Sequence, residues 1–164
     1  MNKQSGFTLV ELLVVLAIIA ILMAIMVPGL LSSLARAKQK RAMAEIHGMA
    51  IACNSYSTDQ NKFPIGNADW TDTDLVIQVG ELAPYYIHAL PNPDPWLNKY
   101  QYASTEKGEH FGLRCLGLDG LPDSGDLASL IGTPPVRTQC FENDIVWLDG
   151  AYLHIPEGKQ RKCK

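Results

Sequence analysis

Residues 7–35 read FTLVELLVVLAIIAILMAIMVPGLLSSLA, and this stretch decides the fold. Glu11 is its one charge, and none follows until Arg36. As an α-helix, the uncharged run from Leu12 to Leu31 measures about 30 Å, the thickness of a bilayer hydrocarbon core. It is long enough to cross a membrane. The six residues before it, MNKQSG, are polar and carry only Lys3. A secretory signal peptide has an apolar stretch of roughly 7–15 residues and a small-residue cleavage site soon after. This run is longer, and no such site follows it promptly. A plain membrane anchor has the right length. A carboxylate inside an apolar helix is costly, however, and calls for a partner.

A third reading supplies that partner. The motif Gly6-Phe7-Thr8-Leu9-Val10-Glu11, behind a short basic leader, resembles type IV prepilins and type II secretion pseudopilins. In that family a prepilin peptidase cuts after the glycine and methylates the new N-terminus, here Phe7. The resemblance implies a single-pass precursor in the inner (cytoplasmic) membrane. An inner-membrane assembly platform then polymerises it, through its first helix, with identical subunits into a periplasmic or extracellular filament. Cleavage creates an amine at Phe7, one helical turn from Glu11. Two opposite charges in a low-dielectric filament core attract strongly and are costly alone. The amine of one subunit is therefore expected to meet Glu11 of a neighbour and set axial register. Pro28-Gly29 is expected to interrupt the helix, since proline removes a backbone hydrogen bond and glycine adds freedom.

The organisation expected is a leader at 1–6, a transmembrane and polymerising half-helix at 7–34, and a globular head at 35–164. The basic cluster Arg36, Lys38, Lys40 and Arg41 reads as a solvated helix face, near lipid headgroups or between packed subunits. Beyond it, Ala42, Ile46, Met49, Cys53 and Tyr56 recur in steps of three and four, which places them on one helix face. One helix is expected from Phe7 to about Ser57, ended by the turn signals of Asp59–Pro64. A short helix is expected over 72–81, because Thr71-Asp72-Thr73-Asp74 is an N-cap signature.

The segment Asp94-Pro95-Trp96-Leu97-Asn98-Lys99-Tyr100-Gln101-Tyr102 resembles the Asp-Pro-Trp-Gly-Asn-x-Tyr-x-Tyr signature of major pseudopilins. Leu97 stands where glycine is usual, so a different local turn is expected. The segment reads as a rigid turn that delivers Trp96 and Tyr100 to the core. Strands are expected at 100–104, 111–118, 145–148 and 151–155, with Asp149-Gly150 as a type I′ hairpin turn. The fold class expected is α+β, one long helix packed on a small antiparallel sheet, and the resemblance implies the type IV pilin fold.

Leu116-Gly117-Leu118-Asp119-Gly120 and Asn143-Asp144-Ile145 resemble the two ends of the calcium loop of major pseudopilins. Calcium takes about six to eight oxygen ligands in irregular geometry. The resemblance makes Asp119 and Asp144 the first candidates, with Asn143 and the Leu116 carbonyl behind them. The insert at 121–142 is longer than the family pattern. A solvated acidic loop is the alternative.

The four cysteines, Cys53, Cys115, Cys140 and Cys163, lack zinc-ligand spacing and read as two disulfides in an exported chain. Three connectivities are open. Loop length favours Cys115–Cys140, leaving Cys53 with Cys163, and four buried thiols are the alternative. A formal charge of −3 argues against nucleic acid as the main ligand. No nucleophile–base pair, phosphate loop or metal-catalysis motif is present, so an enzyme is not expected. The function expected is a structural filament subunit, most like the major pseudopilin of type II secretion. A surface type IV pilin for adhesion, motility or DNA uptake is the alternative. A monomeric membrane-anchored binding module is the alternative of another class.

Overall fold

The computed structural model describes residues 7–76 and 82–163. The leader with Gly6 lies outside the described residues, as does the second part of the helix expected over 72–81. The chain divides into two compact units, Met1–Ala35 and Arg36–Lys164.

Helix α1 runs over Leu9–Gln60 as one element with Pro28 inside it. The helix thus continues through Pro28-Gly29. Proline removes a single bond of the helical ladder. The bonds on either side suffice to continue it, and the Ser32 and Ser33 hydroxyls both donate to the Gly29 carbonyl, at 2.9 and 3.0 Å. The helix stops where Asn61 turns left-handed, with φ 55°, a C-terminal cap that asparagine tolerates better than most residues.

The first unit is apolar on all sides and unburied. Phe7, Leu9, Ile25 and Leu30 each expose more than two-thirds of their surface. The window of highest mean hydropathy, 3.1, buries none of its residues. Water does not tolerate such a surface, so lipid or another protein has to cover it.

In the second unit α1 becomes one-sided. Ala42, Ile46, Met49 and Cys53 are fully buried, and Tyr56 packs against them half-exposed. This is the stripe that the spacing predicts. Burying Ile46 and Met49 contributes about 2 kcal/mol each. The stripe lies in one cluster with Tyr100 and Tyr102 of β2 (Gln101–Ser104) and its lead-in, Phe111, Leu113 and Cys115 of β3 (Phe111–Cys115), and Ile145 and Trp147 of β5 (Ile145–Leu148).

The sheet has six strands. Strand β1 (Thr71–Asp72) precedes the short helix α2 (Thr73–Val76), and helix α3 (Leu127–Leu130) precedes β4 (Val136–Cys140). Strand β6 spans Ala151–Arg161. The order is β1-β2-β3-β5-β6-β4. Neighbours are antiparallel except β4, which runs parallel to β6 at the edge. The antiparallel sheet is thus as expected, with a parallel edge strand added. Asp149 and Gly150 both have positive φ, 45° and 107°, as a type I′ turn requires between β5 and β6. Strand β6 runs six residues past the expected end at Ile155, because β4 gives its outer half a partner.

Candidate functional site

The N-terminal end of α1 is closed by its own side chains. Thr8 is the residue before the helix and Glu11 the third within it. The Glu11 carboxylate Oε2 accepts from the Thr8 N–H at 2.9 Å and from the Thr8 hydroxyl at 2.8 Å. The Glu11 N–H donates to the Thr8 hydroxyl oxygen at 3.3 Å. This is a capping box. Its signature, Thr-x-x-Glu before an apolar run, is present in the sequence, and it adds Thr8 to the residues expected at this end. Phe7, the expected new N-terminus, lies next to this cap and is 72% exposed.

The turn at residues 94–98 is organised by Asp94, which is 2% exposed. Its Oδ1 accepts from the Trp96 and Asn98 N–H groups, both at 2.8 Å. Its Oδ2 accepts from the Cys115 thiol at 3.0 Å. Tyr100 is fully buried and Trp96 half-buried against the same core. Leu97 takes φ 74°, in the left-handed region where glycine is at ease. The turn has a shape suited to glycine and holds leucine in it. From Tyr100 a phenol O–H donates to Glu45 Oε2 at 2.6 Å, and Arg41 donates to Glu45 Oε1 at 2.7 Å. Burial first, then this bond, raises the Tyr100 pKa well above its ordinary value.

The two ends of the 116–144 connection do meet. The Leu118 N–H donates to the Phe141 carbonyl at 2.9 Å. Gly117, at φ 68°, lies so close to the Glu142 and Asn143 carbonyls that a Cβ would approach them to 2.5 and 2.8 Å. Within this frame two of the oxygens named for calcium, one on Asp119 and one on Asp144, accept hydrogen bonds from the chain. Asp119 Oδ1 accepts from the Leu121 N–H at 3.2 Å. Asp144 is fully buried, and its Oδ2 accepts from the Asp123 N–H, the Ser124 N–H and the Ser124 hydroxyl at 2.9, 2.8 and 2.6 Å. Asp144 Oδ1 is buried with no hydrogen-bond partner. Arg114 Nη1 stands 4.0 Å from Asp144 Oδ2. Asn143 is half-buried, and its N–H donates to the Cys140 carbonyl at 3.3 Å. Leu116 is half-buried at the end of β3.

The cysteine pairing differs from the expected one. Cys140 bonds Cys163, with Cα atoms 5.6 Å apart, while Cys53 and Cys115 are free and buried. The cause is the parallel β4–β6 pair, which aligns Cys140 with Arg161 and brings Cys163 alongside. Cys115 instead faces the core within β3, and Cys53 lies on the buried stripe of α1. Burial pushes the Cys53 thiol up to about 12, so it stays protonated and unreactive. Buried Glu142 lies beside the disulfide, where its Oε2 accepts from the Cys163 N–H at 3.0 Å.

Residues 1–27 match the family model of the prokaryotic N-terminal methylation motif. Residues 29–133 match that of type II secretion system protein G. The chain is 33% identical over 133 residues to the type II secretion system core protein G of Aeromonas hydrophila, covering 76% of this chain and 90% of that one. It is 36% identical over 126 residues to the core protein G of Vibrio cholerae, covering 73% and 84%. For the core protein G of Pseudomonas aeruginosa the identity is 34% over 137 residues, covering 80% and 95%. No solved structure matches. The second family match ends at residue 133, so β4, the disulfide, Asn143 and Asp144 lie beyond it.

Proposed function

This chain belongs to the type II secretion system protein G family, and on that premise we propose how its parts divide the work of a pseudopilin. It is a structural subunit and not an enzyme. The precursor is held in the inner membrane by its first helix, is processed by prepilin peptidase, and joins identical subunits in a filament. Cleavage falls between Gly6 and Phe7. The apolar half of α1 has two successive environments, lipid before assembly and neighbouring helices after it. Glu11 exchanges its bonds to Thr8 for the Phe7 amine of a neighbour. Pro28 and Gly29 weaken the hydrogen-bond ladder at one level of the helix, which gives the packed helices a place to stretch.

One observation carries this reading: a fully exposed apolar half-helix with a lone carboxylate at its N-terminal end, joined to a well-packed head. In a monomeric anchor Glu11 serves only as the cap of α1. The three relatives above share the secretion name, which favours export over a surface pilus. The test is deletion of the gene in its source cell. Exported proteins then accumulate in the periplasm, and the wild-type chain restores their release. Unchanged export with loss of surface fibres instead supports the surface-pilus alternative.

A further inference from the structure

Asp144 is a fully buried carboxylate, and such a charge requires a compensating positive group or a set of hydrogen-bond donors. A divalent ion is one way to provide this. Here the donors come from the chain. Two backbone N–H groups and one hydroxyl already point at Oδ2. An ion bound to that oxygen has to displace them. One charge is close by: the Arg114 guanidinium, itself 4% exposed.

Arg114 is held from every side. Its Nη1 donates to the Ser124 carbonyl and hydroxyl oxygens at 3.1 and 3.0 Å. Its Nε and Nη2 both donate to Gln101 Oε1, at 2.9 and 2.6 Å. Its guanidinium carbon lies 4.5 Å from the centre of the Trp70 ring, a cation–π arrangement. The Trp70 ring N–H in turn donates to the Gly125 carbonyl at 2.9 Å. Ser124 links the two charges, since its hydroxyl donates to Asp144 and accepts from Arg114. The start of the insert is thereby fastened to β2 and β3. Its far end is fastened by Cys140–Cys163 to the chain beyond β6.

The acidic groups around the loop do not converge on a common point. Among the described residues, the one trio with metal-ligand proximity is Cys140, Glu142 and Cys163, and two of its members are spent in the disulfide. Asp144 Oδ1 and Glu142 Oε1 are the buried carboxylate oxygens of this connection without a protein donor, and two oxygens fall well short of the roughly six to eight that calcium takes. Any ion placed at Asp144 also stands near the Arg114 charge.

We propose that in this chain Arg114 and the Cys140–Cys163 disulfide, rather than a bound divalent cation, hold the 116–144 connection. Arg114 supplies the positive charge that Asp144 needs, and the disulfide closes the end that the family pattern leaves to the metal. The inference is independent of filament assembly: a subunit clamped in either way polymerises through α1.

Thermal unfolding of the full-length protein in detergent tests it, with circular dichroism as the readout. The wild-type midpoint is expected to move by less than about 1 °C between excess chelator and millimolar calcium. A reducing agent is expected to lower it by about 5 °C or more. Arg114→Gln is expected to lower it, with no recovery in calcium. Should that variant fail to fold, Ser124→Ala, which removes only the bridging hydroxyl, is expected to lower the midpoint by a few degrees. A chelator-induced fall in the wild type that calcium reverses overturns the proposal. So does a midpoint indifferent to reduction and to both substitutions.

Discussion

The carboxylate of Glu11 and the main chain of Thr8 are bonded to each other, Oε2 accepting the Thr8 N–H at 2.9 Å. The Thr8 hydroxyl donates to the same oxygen, so the charge is satisfied locally before any neighbour arrives. On the proposed reading Glu11 has two successive partners, the capping box in the membrane and then the Phe7 amine of another subunit on assembly. A hydrogen-bonded carboxylate at a helix N-terminus also gains from the helix dipole.

Thr8→Val removes the hydroxyl and keeps the shape. The cap is expected to lose about 1 kcal/mol, which corresponds to about fivefold faster amide exchange in the first turn of α1. Hydrogen exchange of residues 9–12 in detergent micelles measures this. Unchanged exchange means that Glu11 does not depend on Thr8.

Leu97 sits at φ 74° with its side chain 81% exposed. The left-handed conformation costs an L-residue about 1–2 kcal/mol, partly offset by the greater chain entropy that glycine loses on folding. Little packing is at stake at this exposure. Leu97→Gly is therefore expected to stabilise the head by about 0.5–1 kcal/mol, seen as a higher denaturant midpoint. A lower midpoint assigns the leucine a contact that its exposure denies.

The disulfide closes a loop with a sequence separation of 23 residues. Loop-closure entropy puts its contribution at about 3 kcal/mol. Cys163→Ser is expected to lose most of that. The loss from Cys53→Ala is expected to be smaller, limited to the packing of a small buried side chain. Thiol titration of the denatured wild type is expected to find two free thiols, and four after reduction.

The cysteines mark the limit of what the sequence conveys. The long helix, its stripe from Ala42 to Tyr56, strand β5 and the Asp149-Gly150 turn are all legible, because each rests on a local period or a local turn residue. Strand β4 is not. Val136–Cys140 is short, mostly polar and preceded by Pro134-Pro135, so nothing local marks it as sheet. Its partner lies 18 residues further on, His154 beside Val136. Without that parallel pair, loop length alone points to the wrong disulfide. The Arg114–Ser124–Asp144 cluster is hidden for the same reason. Arg114 lies within an apolar strand, and only the folded insert shows that the acid it meets is Asp144 rather than solvent. Thr8 differs, since its capping signature with Glu11 is local and legible in the sequence.

His154 adds a pH dependence. Its pKa is lowered, chiefly by burial, against the opposing pull of Asp144 and Asp123. The unfolded chain therefore binds a proton at higher pH than the folded one. The stability this group contributes is fully present above about 6.5 and is lost as pH falls through the lower folded value. His154→Gln is expected to flatten the stability profile below about pH 6.5. An unaltered slope means that the carboxylates alone set the acid limit.

Glu11→Ala tests the central claim most directly, because it removes the one charge in the polymerising half-helix and leaves the head untouched. The measurement is electron microscopy of filaments from cells producing the variant, with the mass of the mature chain read in parallel. The expected result is a chain cleaved before Phe7 and present in the membrane, but few or no filaments and little protein export. Normal filaments from the cleaved variant would contradict it.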